Sequence, residues 1–216
     1  MQTTKFGNTI RAVALGYAAG WAAQNCSEKN NVPNRTSCFQ YLFDNDYKKV
    51  IGNPWCAALL HGTIRKACER YGIRNPYTWS LASRSIVEQS KKIGVRIDNN
   101  PVPGCAFWYD SHTGFVYDRV PGGIVTVEGN SSDNLLCRGC PKNGVVVVGN
   151  NSKPRSLESM KEKGTVYIHI EELAGTDYVS EINTPLIAGN GGSGGNIILP
   201  ALLFSAAIGG IIYANS

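Results

Sequence analysis

Of the seven cysteines and three histidines in the chain, Cys56 and His112 stand in surroundings that suit acyl-transfer chemistry. A cysteine nucleophile needs a thiolate, a nearby imidazole that keeps it ionised, and backbone donors for the oxyanion. Cys56 follows Asn53-Pro54-Trp55 and is expected to open a helix. There the positive end of the helix dipole favours a thiolate, and free N–H groups face a reacting carbonyl. Position alone would favour an inert buried thiol, so the rest of the pattern has to carry the reading. His112 lies in Asp110-Ser111-His112-Thr113-Gly114-Phe115-Val116, at the start of an expected strand and beside a glycine that leaves room for a substrate. Sixteen residues further on, Ile124-Val125-Thr126-Val127 ends in Glu128-Gly129-Asn130. An adjacent antiparallel strand would bring Glu128 beside the imidazole and hold it in the correct tautomer, whereas Glu-Gly-Asn by itself reads as a turn. His61, five positions after Cys56 on the same helix, should point about 140° away and is read as surface or core. His169 falls inside the last expected strand and is read as structural.

The elements that position these residues show in the apolar periodicity. Residues 12–23 form an apolar stretch after Lys5 and Arg11 that resembles a secretory signal peptide. The plainer reading is a first helix, since Ile10, Val13, Tyr17 and Trp21 recur at helical spacing and Asn8-Thr9 can cap it. Residues 24–52 read as an irregular loop and a short helix, anchored by Tyr41, Leu42, Phe43 and Tyr47. Helices are expected over 54–71, ending at Gly72, and over 81–93, ending at Gly94. The period then changes to two, with short strands over 105–109, 113–118, 123–128, 144–149 and 165–170. Helices first and strands afterwards imply an α+β domain with N-terminal helices packed on an antiparallel sheet.

Composition bounds the rest. At 216 residues, with 43% hydrophobic and 17% charged, the chain suits one packed domain with a short appendage and excludes disorder over most of its length. The net charge of +5 suits an anionic partner such as a bacterial wall or membrane surface, but the basic residues are scattered and no nucleic acid is expected. Seven cysteines leave at least one thiol free, expected to be Cys56. Cys26 with Cys38 and Cys137 with Cys140 are possible disulfides, with reduced thiols as the alternative. The C-x-x-C at Cys137-Arg138-Gly139-Cys140 is half a zinc site at most, with Cys26 and Cys38 as the completing ligands; no metal or cofactor is expected.

Pro54-Trp55-Cys56-Ala57-Ala58, Pro101-Val102-Pro103-Gly104, His112-Thr113-Gly114-Phe115-Val116 and Glu128-Gly129-Asn130, in this order, resemble the CHAP domain, the cysteine and histidine-dependent amidohydrolase/peptidase. The resemblance covers roughly residues 10–173. It implies a papain-like fold and cleavage of amide bonds in bacterial peptidoglycan, at the glycan–peptide junction or within the stem and cross-bridge peptides. By motif, Cys56 matches the nucleophile, His112 the base, Glu128 the orienting acid and Asn130 a further polar member of the site. The family often has Asp where this chain has Cys105, a change expected to alter a structural hydrogen bond rather than the chemistry.

The expected organisation is a catalytic domain over 1–183, a Gly-rich linker over 184–196 and a hydrophobic anchor helix over 197–213. The last is seventeen residues without a charge, about 25 Å long as a helix and a little short for a hydrocarbon core of about 30 Å. It is read as inserting in a membrane, with burial in an oligomer or particle interface as the alternative. A lone catalytic domain joined to an apolar anchor suits a phage- or virion-associated wall hydrolase acting in the bacterial envelope. The rivals are a bacterial wall-remodelling enzyme of the same chemistry and a catalytically silent particle or membrane protein that keeps the fold.

Overall fold

Thr4 sets the start of the first long helix. Its hydroxyl accepts the Gly7 N–H at 2.9 Å and donates to the carbonyl of Glu171, so one side chain both caps α1 (Lys5–Ala23) and ties it to a distant segment. The helix begins ahead of the expected Asn8-Thr9 cap, because Thr4 already has the extended backbone and the hydroxyl that a first-turn donor needs. Phe6, Ile10, Val13, Ala14, Ala18 and Trp21 face inward, which makes α1 an element of the core. The computed structural model describes residues 2–131, 144–148 and 154–180, all within one compact unit, Met1–Thr184. Cys137, Cys140, the linker over 184–196 and the apolar helix over 197–213 lie outside the described residues. Among the described residues no helix is long and apolar enough to cross a membrane.

The segment expected to be mostly irregular is more ordered than its polar composition suggests. β1 (Gln2–Thr4) precedes α1; β2 (Glu28–Lys29) and β3 (Val32–Pro33) follow it as a small antiparallel hairpin. α2 (Thr36–Phe43) leads through a 3₁₀ turn, Asp44–Asp46, into α3 (Tyr47–Val50). A disulfide joins Cys26 to Cys38 and fastens the excursion to the end of α1. With both sulfurs so engaged, these cysteines cannot complete a zinc site. Phe39, Leu42, Phe43 and Val50 are the buried anchors, whereas Tyr41 is exposed and holds the Gly16 carbonyl with its hydroxyl at 2.9 Å.

α4 (Cys56–Tyr71) and α5 (Ser85–Ile93) end where expected, at Gly72 and Gly94, both in the left-handed conformation that glycine adopts without strain. The sheet is antiparallel throughout. It comprises β4 (Ile97–Asp98), β5 (Ala106–Tyr109), β6 (His112–Val120), β7 (Gly123–Ser131), β8 (Gly144–Val148), β9 (Arg155–Ser156) and β10 (Val166–Ile168). The order is β4-β10-β5-β6-β7-β8, with β9 beside β7. The helix-facing residues Phe115, Tyr117, Val125, Val127 and Ile168 join the core of α1 and α4. Phe107, Val116, Ile124 and Tyr167 form a second apolar layer, covered by Leu157 and Met160 of α6 (Leu157–Glu162). The last expected strand stops at Ile168: His169 follows it and precedes a 3₁₀ turn, Ile170–Glu172. β11 (Tyr178–Ser180) returns to pair with β1.

Candidate active site

Cys56 is placed by the residue before it. Trp55 is fully buried and its ring lies 5.5 Å from that of Trp21, 5.4 Å from Phe39 and 5.8 Å from Phe43. Aromatic packing of this kind fixes the point at which α4 begins. Cys56 is therefore the first helical residue, and no side chain among the described residues caps the helix, which leaves first-turn N–H groups beside the thiol. Gly129 of β7 lets the sheet close on this point. A Cβ there would fall 2.8 Å from Leu59 Cδ2 and 2.9 Å from Trp55 Cζ3, so only glycine brings β7 this near to the start of α4.

His112 enters from a tight hairpin. Tyr109 pairs with His112 across a two-residue turn, Asp110-Ser111, in which both residues have positive φ (35° and 69°). That handedness matches the strand twist and sets the first residue of β6. The imidazole Nε2 lies 2.9 Å from Glu128 Oε2, and Cys56 is near enough to the ring to raise its pKa. With Nε2 on the carboxylate, Nδ1 is the nitrogen left for the thiol. Burial alone would lower the His112 pKa, but the contacts with Cys56 and Glu128 outweigh it and raise it to about 9.

Glu128 is completely buried, and its two oxygens have four side-chain contacts. His112 meets Oε2; Thr126 donates its hydroxyl to Oε1; Arg155 donates Nε to Oε1 and Nη2 to Oε2, each at 2.5 Å. Burial would raise its pKa, yet His112 and Arg155 hold it down at about 2, so the acid is a fixed negative charge. Strand geometry explains the Arg155 contact. β9 pairs Arg155 with Ile124, and Ile124, Thr126 and Glu128 share one face of β7, so the arginine side chain runs along that face to the carboxylate. Gly114 opposite Glu128 leaves the space, since a Cβ there would meet Glu128 Cγ at 2.9 Å and the Val127 carbonyl at 2.8 Å.

The structure thus brings Cys56, His112 and Glu128 together. Asn130 lies two residues beyond Glu128 with a φ of 54°, where the register between β7 and β8 shifts. No hydrogen bond joins it to Cys56, His112 or Glu128 among the described residues. His61 is buried at a separate place, with Nε2 3.0 Å from the Ser85 hydroxyl. His169 is buried between Asp98, at 2.9 Å, and Glu171, at 2.7 Å, and ties β4 to the 3₁₀ turn. Cys105 is buried and its sulfur accepts the Val102 N–H at 3.5 Å, a weak structural contact. Two neighbours of the site were missed in sequence. Arg155 follows a polar run without periodicity, and Tyr109, whose ring centroid is 5.7 Å from that of His112, read only as a strand residue. Compared with known protein families, curated proteins and solved structures, the chain matches none.

Proposed function

We propose that the chain is a papain-like cysteine amidohydrolase/peptidase of the CHAP type that cuts amide bonds of bacterial peptidoglycan. The observation that carries this reading is one imidazole paired with a buried, charged carboxylate and within electrostatic reach of a thiol at a helix N-terminus. The reaction follows from these positions. The Cys56 thiolate attacks the amide carbon, and the oxyanion takes up the N–H groups at the start of α4. His112, charged near neutral pH, gives its proton to the departing amine, leaving a thioester on Cys56. Water then attacks the thioester carbon as His112 takes its proton; the carboxylic acid leaves and the Cys56 thiolate is restored beside the charged His112. Glu128 holds the ring in the tautomer both steps use, and Arg155 with Thr126 keeps Glu128 in place.

The wall as substrate rests on the four sequence blocks, and the Cys26–Cys38 disulfide suits a setting outside a reducing cytosol. A phage or virion setting, with residues 197–213 as the tether to membrane or particle, belongs to the same proposal. The test is release of fragments from purified wall, followed by mass spectrometry, using protein whose fold is checked by circular dichroism. Cys56→Ala and His112→Ala should abolish release, Glu128→Gln should leave a residue of activity because an amide can still hold the ring, and His61→Ala should be active. Undiminished digestion by Cys56→Ala would overturn the enzyme reading. For the tether, protein ending near Asn183 should stay in the aqueous phase while the full chain partitions into detergent; a full chain that remains aqueous would remove the anchor.

A further inference from the structure

Glu128 settles the tautomer of His112 but not the rotation of its ring. The histidine χ2 torsion is broad and lacks the staggered wells that define aliphatic side chains. Nε2, 2.9 Å from Glu128 Oε2, lies at the far end of the ring and nearer the Cβ–Cγ axis than Nδ1 does. A contact at Nε2 therefore resists turning about that axis only weakly. Nδ1, the nitrogen left for Cys56, is the one that such turning displaces more.

Two aromatic rings take up that motion. Tyr109 stands opposite His112 in the β5–β6 hairpin, so their side chains leave the same face of the sheet. Its ring meets the imidazole edge to face, with centroids 5.7 Å apart and planes at 61°. Phe107, two residues back on the same face, stacks on Tyr109 at 5.8 Å and lies 6.2 Å from the imidazole. Tyr109 is itself held by cations: the Lys163 ammonium is 4.9 Å and the Arg155 guanidinium 6.0 Å from its ring centroid. Arg155 also donates Nε to Glu128 Oε1 at 2.5 Å, so one guanidinium grips two groups that touch the imidazole. His112, Glu128, Arg155 and Tyr109 close a circuit of contacts around the catalytic ring.

We propose that Tyr109 is a positioning residue of this site: its ring, backed by Phe107 and held by Arg155, fixes the rotation of the His112 imidazole that aims Nδ1 at Cys56. Its use in catalysis rests on the proposed hydrolysis, whereas the aiming itself can be measured without a substrate. The role belongs to the ring and not to the hydroxyl, so phenylalanine should serve in its place. Leucine fills the strand position without a flat ring, leaving Nε2 on Glu128 and the imidazole free to turn.

The test follows the His112 titration midpoint by NMR in the full chain, with Cys56 present and in the Cys56→Ala background. The wild-type ring titrates at about 9. Tyr109→Leu should lower that midpoint by about half a unit or more, because a turned ring keeps the carboxylate and loses the thiolate. In Cys56→Ala the same substitution should move it by less than about 0.2 unit, and Tyr109→Phe should leave it in place in both backgrounds. A tyrosine that acted on the imidazolium directly, as a cation–π partner, would shift both backgrounds alike and overturn the proposal. On purified wall, Tyr109→Leu should lower kcat about tenfold or more with KM near that of the wild type, and Tyr109→Phe should recover the rate. An equal loss in Tyr109→Phe, or none in Tyr109→Leu, would also overturn it. A wild type that cuts no wall would end the hydrolase reading and leave the midpoints to decide the aiming. Tyr109→Thr, which suits a strand, replaces Tyr109→Leu in both measurements if the leucine variant does not fold.

Discussion

Replacing Glu128 by Gln removes the negative charge that lies 2.9 Å from the His112 ring while keeping an acceptor of the same shape. In the wild type that ring titrates at about 9 instead of its ordinary 6.5. At about 1.4 kcal/mol per pH unit this favours the imidazolium by on the order of 3 kcal/mol, shared between Cys56 and Glu128. Glu128, held at about 2 instead of 4.5, senses the same contact from its own side together with Arg155, so the two figures are not added. The sign of the pH dependence follows. His112, raised in the folded state, contributes its stability fully below about pH 6.5 and loses it as pH rises through about 9. Glu128, depressed in the folded state, contributes above about pH 4.5 and loses its share as pH falls through about 2. Glu128→Gln should lower the His112 midpoint by about one pH unit or more and flatten the alkaline limb of the stability curve. The whole variant will also be less stable, because Arg155 loses a bidentate partner, so the limb and not the absolute stability is diagnostic. The midpoint is read from the imidazole Cε1–H resonance of labelled protein, and the limb from urea unfolding on either side of it. A wild-type His112 that titrates at or below 6.5, or a midpoint unmoved by Glu128→Gln, would refute the reasoning.

The three free thiols among the described residues should also separate by reactivity. Iodoacetamide should label Cys56 first, since burial pushes Cys68 up to about 11 and Cys105 well above the ordinary thiol range; peptide mapping that finds Cys68 or Cys105 labelled earlier would contradict this. Gly129→Ala should push β7 away from Trp55 and Leu59. A loss of about 1–3 kcal/mol in stability, the usual size for overpacking, is expected with a larger fall in any wall-cutting activity, and unchanged values for both would show that the contact is not needed.

What could be read from the sequence were residues whose neighbours announce their role. Cys56 stands at a Pro-Trp helix start, His112 beside a glycine at a strand start, and Glu128 at the end of an apolar run, and each has local chemistry that predicts its element. Helix ends marked by Gly72 and Gly94 were equally plain, because a left-handed cap is a one-residue signal. Starts were harder. Thr4 caps α1 because its hydroxyl also reaches Glu171, a contact 167 residues away that no local pattern carries. Residues 81–84 have apolar spacing compatible with a helix but stay outside α5, which opens only at Ser85. Arg155 was hidden for a related reason. β9 is two residues long, too short for periodicity, and its place beside Glu128 depends on register with β7.

The pairing of β1 with β11 bears on how the molecule carries force. Gln2 lies opposite Ser180 and Thr4 opposite Tyr178, so a load applied along the chain beyond Ser180 meets this ladder at its open end. Antiparallel pairs loaded there separate rung by rung, each yielding before the next is strained. The partner strand does not follow, because Thr3 is held by the Pro103 carbonyl and Thr4 by that of Glu171. Tension would therefore be taken up in peeling three residues from the edge, and the sheet that carries His112 and Glu128 would be shielded from the first of the strain.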